Sequence, residues 1–159
     1  MSAVIDSHHD DHHHGPAKGF SRWLYTTNHK DIGSMYLWFS LIMLFVGGAM
    51  AMVIRAELFE PGSQIVSPEF YNQMVTNHGL IMVFGVIMPA FVGFANWMIP
   101  MQIGAPDMAL PRLNNLSFWI LPVAFGILLS TFFMEGGAPN FGWTFYAPLS
   151  CLLYTSDAA

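Results

Sequence analysis

Three stretches of this chain each run for about twenty residues or more without a charge, in a protein of only 159 residues. The first, at 33–54, reads GSMYLWFSLIMLFVGGAMAMVI and is 22 residues long. As an α-helix it would extend about 33 Å, enough to cross a hydrocarbon core of about 30 Å. The second lies between Glu69 and Asp107, with its apolar part at 79–101. Pro89 falls inside it and predicts a kink, which neighbouring helices can compensate in a membrane. The third, LNNLSFWILPVAFGILLSTFFM, is again 22 residues and carries Pro122 as a second expected kink. All three are almost continuously apolar, so length is the stronger signal and amphipathic period the weaker one. The expected fold class is an all-α integral membrane protein, with spans at about 33–54, 77–101 and 113–134.

Composition agrees. Charged residues make up 9% of the chain and hydrophobic ones 54%, against roughly 25% charged in soluble domains. Seven of the fifteen charges fall within the first 31 residues, leaving eight for the other 128. A soluble domain cannot cover its surface so thinly, and a disordered chain would be more polar. Five basic residues and a net charge of −5 exclude a basic surface for nucleic acid. The single cysteine, Cys151, excludes an internal disulfide and a thiolate metal cluster. The start of the chain lacks a basic leader followed by an apolar run, so it does not read as a signal peptide.

Lys and Arg positions set the expected orientation. Lys18, Arg22 and Lys30 precede the first span, and Arg112 lies between the second and third. The loop between the first two spans holds Arg55 with Glu57, Glu60 and Glu69. The N-terminus and the second loop are therefore expected to face the cytoplasm, in a multi-pass protein of a bacterial inner membrane. Residues 1–31 form a polar cytoplasmic tail, and nothing in its HHDDHHH run fixes a coordination geometry. After the third span, GGAPNFGWTFYAP would lie outside, with Trp143 and Tyr146 suited to the interface.

A few residues stand out against the apolar background. Of seven histidines, only His78 falls at the start of a hydrophobic span. A neutral imidazole buried there needs partners, and a metal, a haem iron or a proton relay are the usual reasons. Gly79 and Gly85 near it, and Gly47 and Gly48 in the first span, could leave room for a flat macrocycle. From spacing alone, an interfacial histidine satisfied by a carbonyl or water fits as well. Arg55 ends the first span, where a snorkelling anchor is the ordinary reading. Asp107 is the only acid between Glu69 and Glu135, and a turn or cap aspartate is its ordinary reading. Trp143 and Tyr71 likewise read as interfacial anchors.

The segments NHKDIGSMYLWF, VTNHGLIMVFGVIMPAFVGFANWMIP, QIGAPDMALPRLNNLSFWILP and GWTFYAPL change this balance. Together they resemble the N-terminal part of subunit I of the haem–copper oxidases, most nearly the A-type, cytochrome c oxidase branch. The resemblance covers about residues 23–150, and IGAPDM followed by PRLNN and FW is its most specific part. It implies a fold in which these spans open a bundle of about a dozen helices. It implies haem A as cofactor, with His78 one axial ligand of the low-spin haem iron and no second axial histidine in this chain. An iron held by two imidazoles passes electrons without binding oxygen. Arg55, in MVIRAEL, would bond the haem formyl group, withdraw electron density and help set the potential. Trp143 would bond a haem propionate, with Tyr71 nearby. Glu57, Glu60 and Gln64 resemble an outer cation-binding loop, although solvated loop acids are the simpler reading.

The resemblance also makes Asp107 the mouth of a D-type proton pathway, with Asn96 and Asn114 narrowing the path above it. Asn96 is the less secure match, because PAFVGFANW is one residue shorter than the common family form. The oxygen-reducing haem–copper centre would need later helices, so this stretch alone is expected to be inactive. Expected partners of the whole enzyme are oxidase subunits II and III, cytochrome c, oxygen, protons and the lipid bilayer. A quinol oxidase, a nitric oxide reductase and a stand-alone three-helix binding or assembly protein are the competing readings. The resemblance stops after Ser150. One back-translation of CLLYTSDAA is TGT CTC TTA TAC ACA TCT GAC GCT GCC, which matches a transposon-library adapter. Residues 151–159 are therefore expected to be foreign to a domain at 32–150.

Overall fold

The computed structural model describes residues 19–62 and 65–151. The HHDDHHH run, Gln64 and residues 152–159 lie outside the described residues. The rest is all-helical, and three helices are long and apolar enough to cross a membrane: His29–Glu57, Pro68–Ile103 and Pro111–Phe133.

A short helix, α1 (Phe20–Tyr25), precedes the first span. The first span is α2 (His29–Glu57), capped by Asn28, whose side chain accepts from the Lys30 N–H at 2.9 Å. Arg22 of α1 grips Asp31 of α2 through two short bonds of 2.9 and 3.0 Å. The second span begins nine residues earlier than hydropathy places it. Ser67 accepts from the Phe70 N–H and Pro68 occupies the first turn, so the polar segment 68–77 is wound into the same helix.

That span has three parts: α3 (Pro68–Leu80), a π-helical segment (Ile81–Ile87) and α4 (Met88–Ile103). The π-turns explain how Pro89 is accommodated. In a regular α-helix its ring would meet the carbonyl of Gly85. Here the Met88 N–H reaches back five residues to the Val83 carbonyl, the wider π spacing. The Ser40 hydroxyl on α2 donates to the Val86 carbonyl at 2.9 Å, so a neighbouring helix satisfies part of the altered ladder. Gly104, at φ +70°, ends α4 in the left-handed conformation that favours glycine. The third span is α5 (Pro111–Ser130) with a short 3₁₀ turn, Thr131–Phe133; Pro122 lies inside α5, which continues through it.

The second span packs along α2 through glycines. A Cβ on Gly33 would lie 2.9 Å from the Gly93 carbonyl oxygen, and one on Gly93 would lie 3.0 Å from that of Gly33. Small residues allow such backbone approach where no hydrophobic effect drives helices together. α5 closes the unit through edge-to-face rings, Tyr36 with Phe118 at 5.2 Å and Phe39 with Phe125 at 5.6 Å. Only 11% of the apolar window of the third span is buried, against 28% for the first. α2 is thus the central helix, and α5 presents most of its apolar surface outward.

Candidate functional site

The helices alternate in direction, so polar side chains collect at two ends of the unit. His78 lies in the last turn of α3, half-buried. Its Nδ1 lies 2.9 Å from the Gly47 carbonyl oxygen on α2. A carbonyl only accepts, so Nδ1 carries a proton, and in the neutral ring Nε2 then keeps its lone pair. Nε2 has no partner among the described residues. A backbone carbonyl holding one nitrogen while the other stays free is how proteins orient a metal-ligating imidazole.

Gly47 makes this contact possible. A Cβ there would lie 2.8 Å from the Met82 sulfur and 3.3 Å from Ile81, so any larger residue would have to displace the Met82 side chain. Most of the glycines near His78 are covered by side chains of this unit. Gly47 is filled by Met82, Gly79 by Trp143, and Gly85 by Phe125 and Met43; Gly48 alone faces open space. They serve close packing within the three-span unit.

Trp143 comes to the His78 end, as its indole covers Gly79, the next residue along. It remains 45% exposed, and its indole N–H has no partner among the described residues. Arg55 ends α2 at the same end, exposed and without a hydrogen bond or ion pair among the described residues. Tyr71 is placed differently. It lines a cavity of about 540 Å³ with Glu57, Glu60 and Asn72, and no contact joins it to Trp143 among the described residues. Tyr146 is exposed, as an interfacial anchor would be.

Glu57 is not a solvated loop acid. It is 7% exposed, and its Oε2 accepts from the Ile65 and Val66 N–H groups at 2.9 and 3.0 Å. Two amides pointing at one carboxylate oxygen justify burying it. Glu60 is exposed beside it.

The other end holds an amide pair. Asn114 Nδ2 donates to Asn96 Oδ1 at 2.6 Å, and Asn96 is buried. Asn96 donates to the Val92 carbonyl, so both functions of its side chain are used. Asn115 turns away, donating to the Leu24 carbonyl of α1. From Asn114 the polar groups continue inward: the Ser117 hydroxyl donates to the Asn114 carbonyl at 2.7 Å. Having spent its proton there, Ser117 accepts from the Tyr36 hydroxyl at 2.9 Å. Beside this pair opens a mainly apolar cavity of about 550 Å³ lined by Phe84, Met88, Leu121 and Phe125. Asp107 stands apart, exposed in the loop after α4, with its Oδ1 accepting from the Met108 N–H at 2.7 Å. It touches neither asparagine among the described residues.

Sequence reasoning missed three members of this end. His29, just ahead of the apolar run at 33–54, is 6% exposed, and its Nδ1 donates to the Asn96 carbonyl at 2.9 Å. Tyr36 and Ser117 were also missed. The available signal was spacing: Tyr36 is two turns from His29, and Ser117 is three residues from Asn114. Cys151 is exposed. Among the described residues no three His, Cys, Asp or Glu side chains converge as ligands for a metal, so His78 stands as a single donor.

The model of the family described as cytochrome C and quinol oxidase polypeptide I matches residues 31–159. The chain is 49% identical over 138 residues to cytochrome c oxidase subunit 1 of Corynebacterium diphtheriae, covering 86% of this chain and 24% of that protein. It is 50% identical over 135 residues to the same subunit of Corynebacterium efficiens, covering 84% and 23%. It is 47% identical over 134 residues to the heme-copper oxidase subunit I+III of Aeropyrum pernix, covering 84% and 16%. The chain thus spans about a quarter, or less, of the length of these curated relatives.

Proposed function

Because the chain belongs to the cytochrome c and quinol oxidase polypeptide I family, we propose that it supplies three membrane helices to the catalytic subunit of a terminal respiratory oxidase. The complete enzyme would take electrons from cytochrome c through subunit II, reduce oxygen to water and pump protons, with subunit III as a further partner. A stand-alone three-helix protein is not favoured by such relatives, and the chain shares its family with quinol oxidases. In a bacterial inner membrane the His29 end would face the cytoplasm, where Arg22, Lys30 and Arg112 cluster.

The observation that carries the haem reading is the 2.9 Å bond from His78 to Gly47, which leaves Nε2 free to donate its electron pair to iron. The other groups at that end suit the reading. Arg55 and the Trp143 indole are donors without partners among the described residues, suited to the formyl and propionate oxygens of haem A. Tyr71 would serve a propionate less directly, as it faces the Glu57 cavity. A haem bound there would supply single-electron transfer.

At the His29 end, Asp107 would collect protons from water. Asn96 and Asn114 would hold water without trapping a proton, since amides do not titrate in the working range. The buried His29 contact supports Asn96 in that place despite the short PAFVGFANW segment.

The test is His78→Ala in a complete oxidase carrying this segment. We expect the low-spin haem absorbance to be lost, and His78→Gly supplied with free imidazole to regain part of it. A His78→Ala enzyme with an unchanged low-spin spectrum would remove His78 as the ligand.

A further inference from the structure

The turn of α3 that precedes His78 is polar, buried and bonded to a distant loop. Gln73, Thr76 and Asn77 are 8%, 1% and 0% exposed. Residues 3 and 4 apart on a helix share a face, so these three form one patch. Polar groups so deeply buried call for partners; the loop at 136–143, some sixty residues later, supplies one to Thr76 and one to the Asn77 amide nitrogen, while Asn77 Oδ1 has none among the described residues. Thr76 Oγ1 donates to the Asn72 carbonyl at 2.7 Å and accepts from the Gly142 N–H at 2.9 Å. Asn77 Nδ2 donates both to the Gln73 carbonyl at 2.8 Å and to the Pro139 carbonyl at 3.1 Å. Gly137 packs against the Gln73 amide so closely that a Cβ has no space. Gly142 has φ +82°, a conformation that favours glycine and directs its N–H at Thr76. The next residue is Trp143. Its ring lies where a Cβ on Gly79 would be, at 2.8 Å from Cγ and 2.9 Å from Cδ1.

We propose that Thr76 and Asn77 are positioning residues that fasten the loop 136–143 to α3 and so fix the Trp143 indole beside His78. Gly79 completes the arrangement by leaving the indole its place on the helix surface. The inference rests on the haem reading of His78, because only a cofactor on that imidazole gives the position of Trp143 a consequence. Two bonds from one helical turn set both the imidazole and the indole in one rigid frame. Neither Thr76 nor Asn77 touches the cofactor in this scheme. They act through Trp143.

The experiment uses the complete oxidase with Thr76→Val, Thr76→Ser, Gly79→Ala and Trp143→Phe. Two quantities are read: hydrogen exchange of the 136–143 amides, and the reduction midpoint of the low-spin haem. Thr76→Val should speed exchange at Gly142 by about fivefold to tenfold, the ratio expected for losing one hydrogen bond of ordinary net worth. It should move the midpoint in the same direction as Trp143→Phe and by less. Thr76→Ser keeps the acceptor and should restore both quantities, which separates positioning from a general packing defect. Gly79→Ala should displace the indole and move the midpoint with no gain in exchange at Gly142. In the Thr76→Val, Trp143→Phe double variant, the midpoint should equal that of Trp143→Phe alone. If Thr76→Val is too unstable to purify, Asn77→Ala read against Gly79→Ala decides the same question. A normal midpoint in Thr76→Val, or additive shifts in the double variant, would overturn the inference while leaving His78 as ligand. Loss of the haem reading itself would show instead as an unchanged spectrum in His78→Ala.

Discussion

The two ends of this three-helix unit treat their polar groups in opposite ways. At the His29 end the key side chains are spent inside the unit: His29 on the Asn96 carbonyl, Asn114 on the Asn96 side chain, Ser117 on the Asn114 carbonyl and Tyr36 on the Ser117 hydroxyl. At the His78 end the key groups are held from behind and left open in front. The His78 ring is fixed through Nδ1, while Nε2, Arg55 and the Trp143 indole have no partner among the described residues. The anchoring residues on α2, His29 and Gly47, are eighteen positions apart, roughly 27 Å of helix rise. That is close to the thickness of a hydrocarbon core. On the proposed reading, a path for water and protons would run past groups largely satisfied inside the protein, and a cofactor would meet donors that are oriented but unspent. α2 holds residues at both ends, His29 and Gly47.

The sharpest way to break this contrast is at Asp107. Asp107→Asn in a complete oxidase should cut turnover by on the order of a hundredfold, the lower edge for a positioned proton-transfer group, and abolish pumping in reconstituted vesicles. Unchanged pumping would remove Asp107 from the pathway. Next in size is the helix crossing that keeps both ends in register. Gly93→Val should cost about 1–3 kcal/mol through overpacking, because a Cβ there already meets the Gly33 carbonyl and Leu37. Thermal unfolding in detergent reads this, and an unchanged midpoint would mean that the helices separate freely.

A comparable or smaller loss is expected at the amide pair. Asn114→Leu would leave the Asn96 oxygen unpaired in a buried place, costing about 1–3 kcal/mol, while the haem spectrum stays normal. A change in that spectrum would show that the two ends are coupled through α2. The smallest effect belongs to the surface. Arg22→Ala breaks a bidentate pair with Asp31 whose side chains are 46% and 17% exposed. Such a pair contributes about 0.2–1 kcal/mol and fades with salt, so the loss of stability should shrink as salt is raised.

The existence of three spans was legible because charge is nearly absent over long stretches, and no packing detail can reverse that. His78 stood out in the sequence as the histidine that opens an apolar run, and the fold adds that its Nδ1 is held by the Gly47 carbonyl. What could not be read was anything set by register between helices. The buried place of His29 depends on Asn96, 67 residues away, and the asparagine pair on two helices meeting at one level. Glu57 looked solvated because it sits beside Pro61 and Gly62; only the fold turns the Ile65 and Val66 amides onto it. The glycines show the same limit. Sequence marks them as small, but Met82, Trp143 and Phe125 decide what the space is for. The π-helical segment is a further case, since Pro89 announces a disturbance but Ser40 on another helix helps to determine its form.

The separation of roles between the ends is tested most directly by one paired measurement. Reduced-minus-oxidised spectra and pumping are recorded together on His78→Ala and Asp107→Asn forms of the complete oxidase. The expected result is that His78→Ala loses the low-spin haem band, while Asp107→Asn keeps the band and loses pumping. An intact low-spin band in His78→Ala, or a band lost in Asp107→Asn, would contradict it.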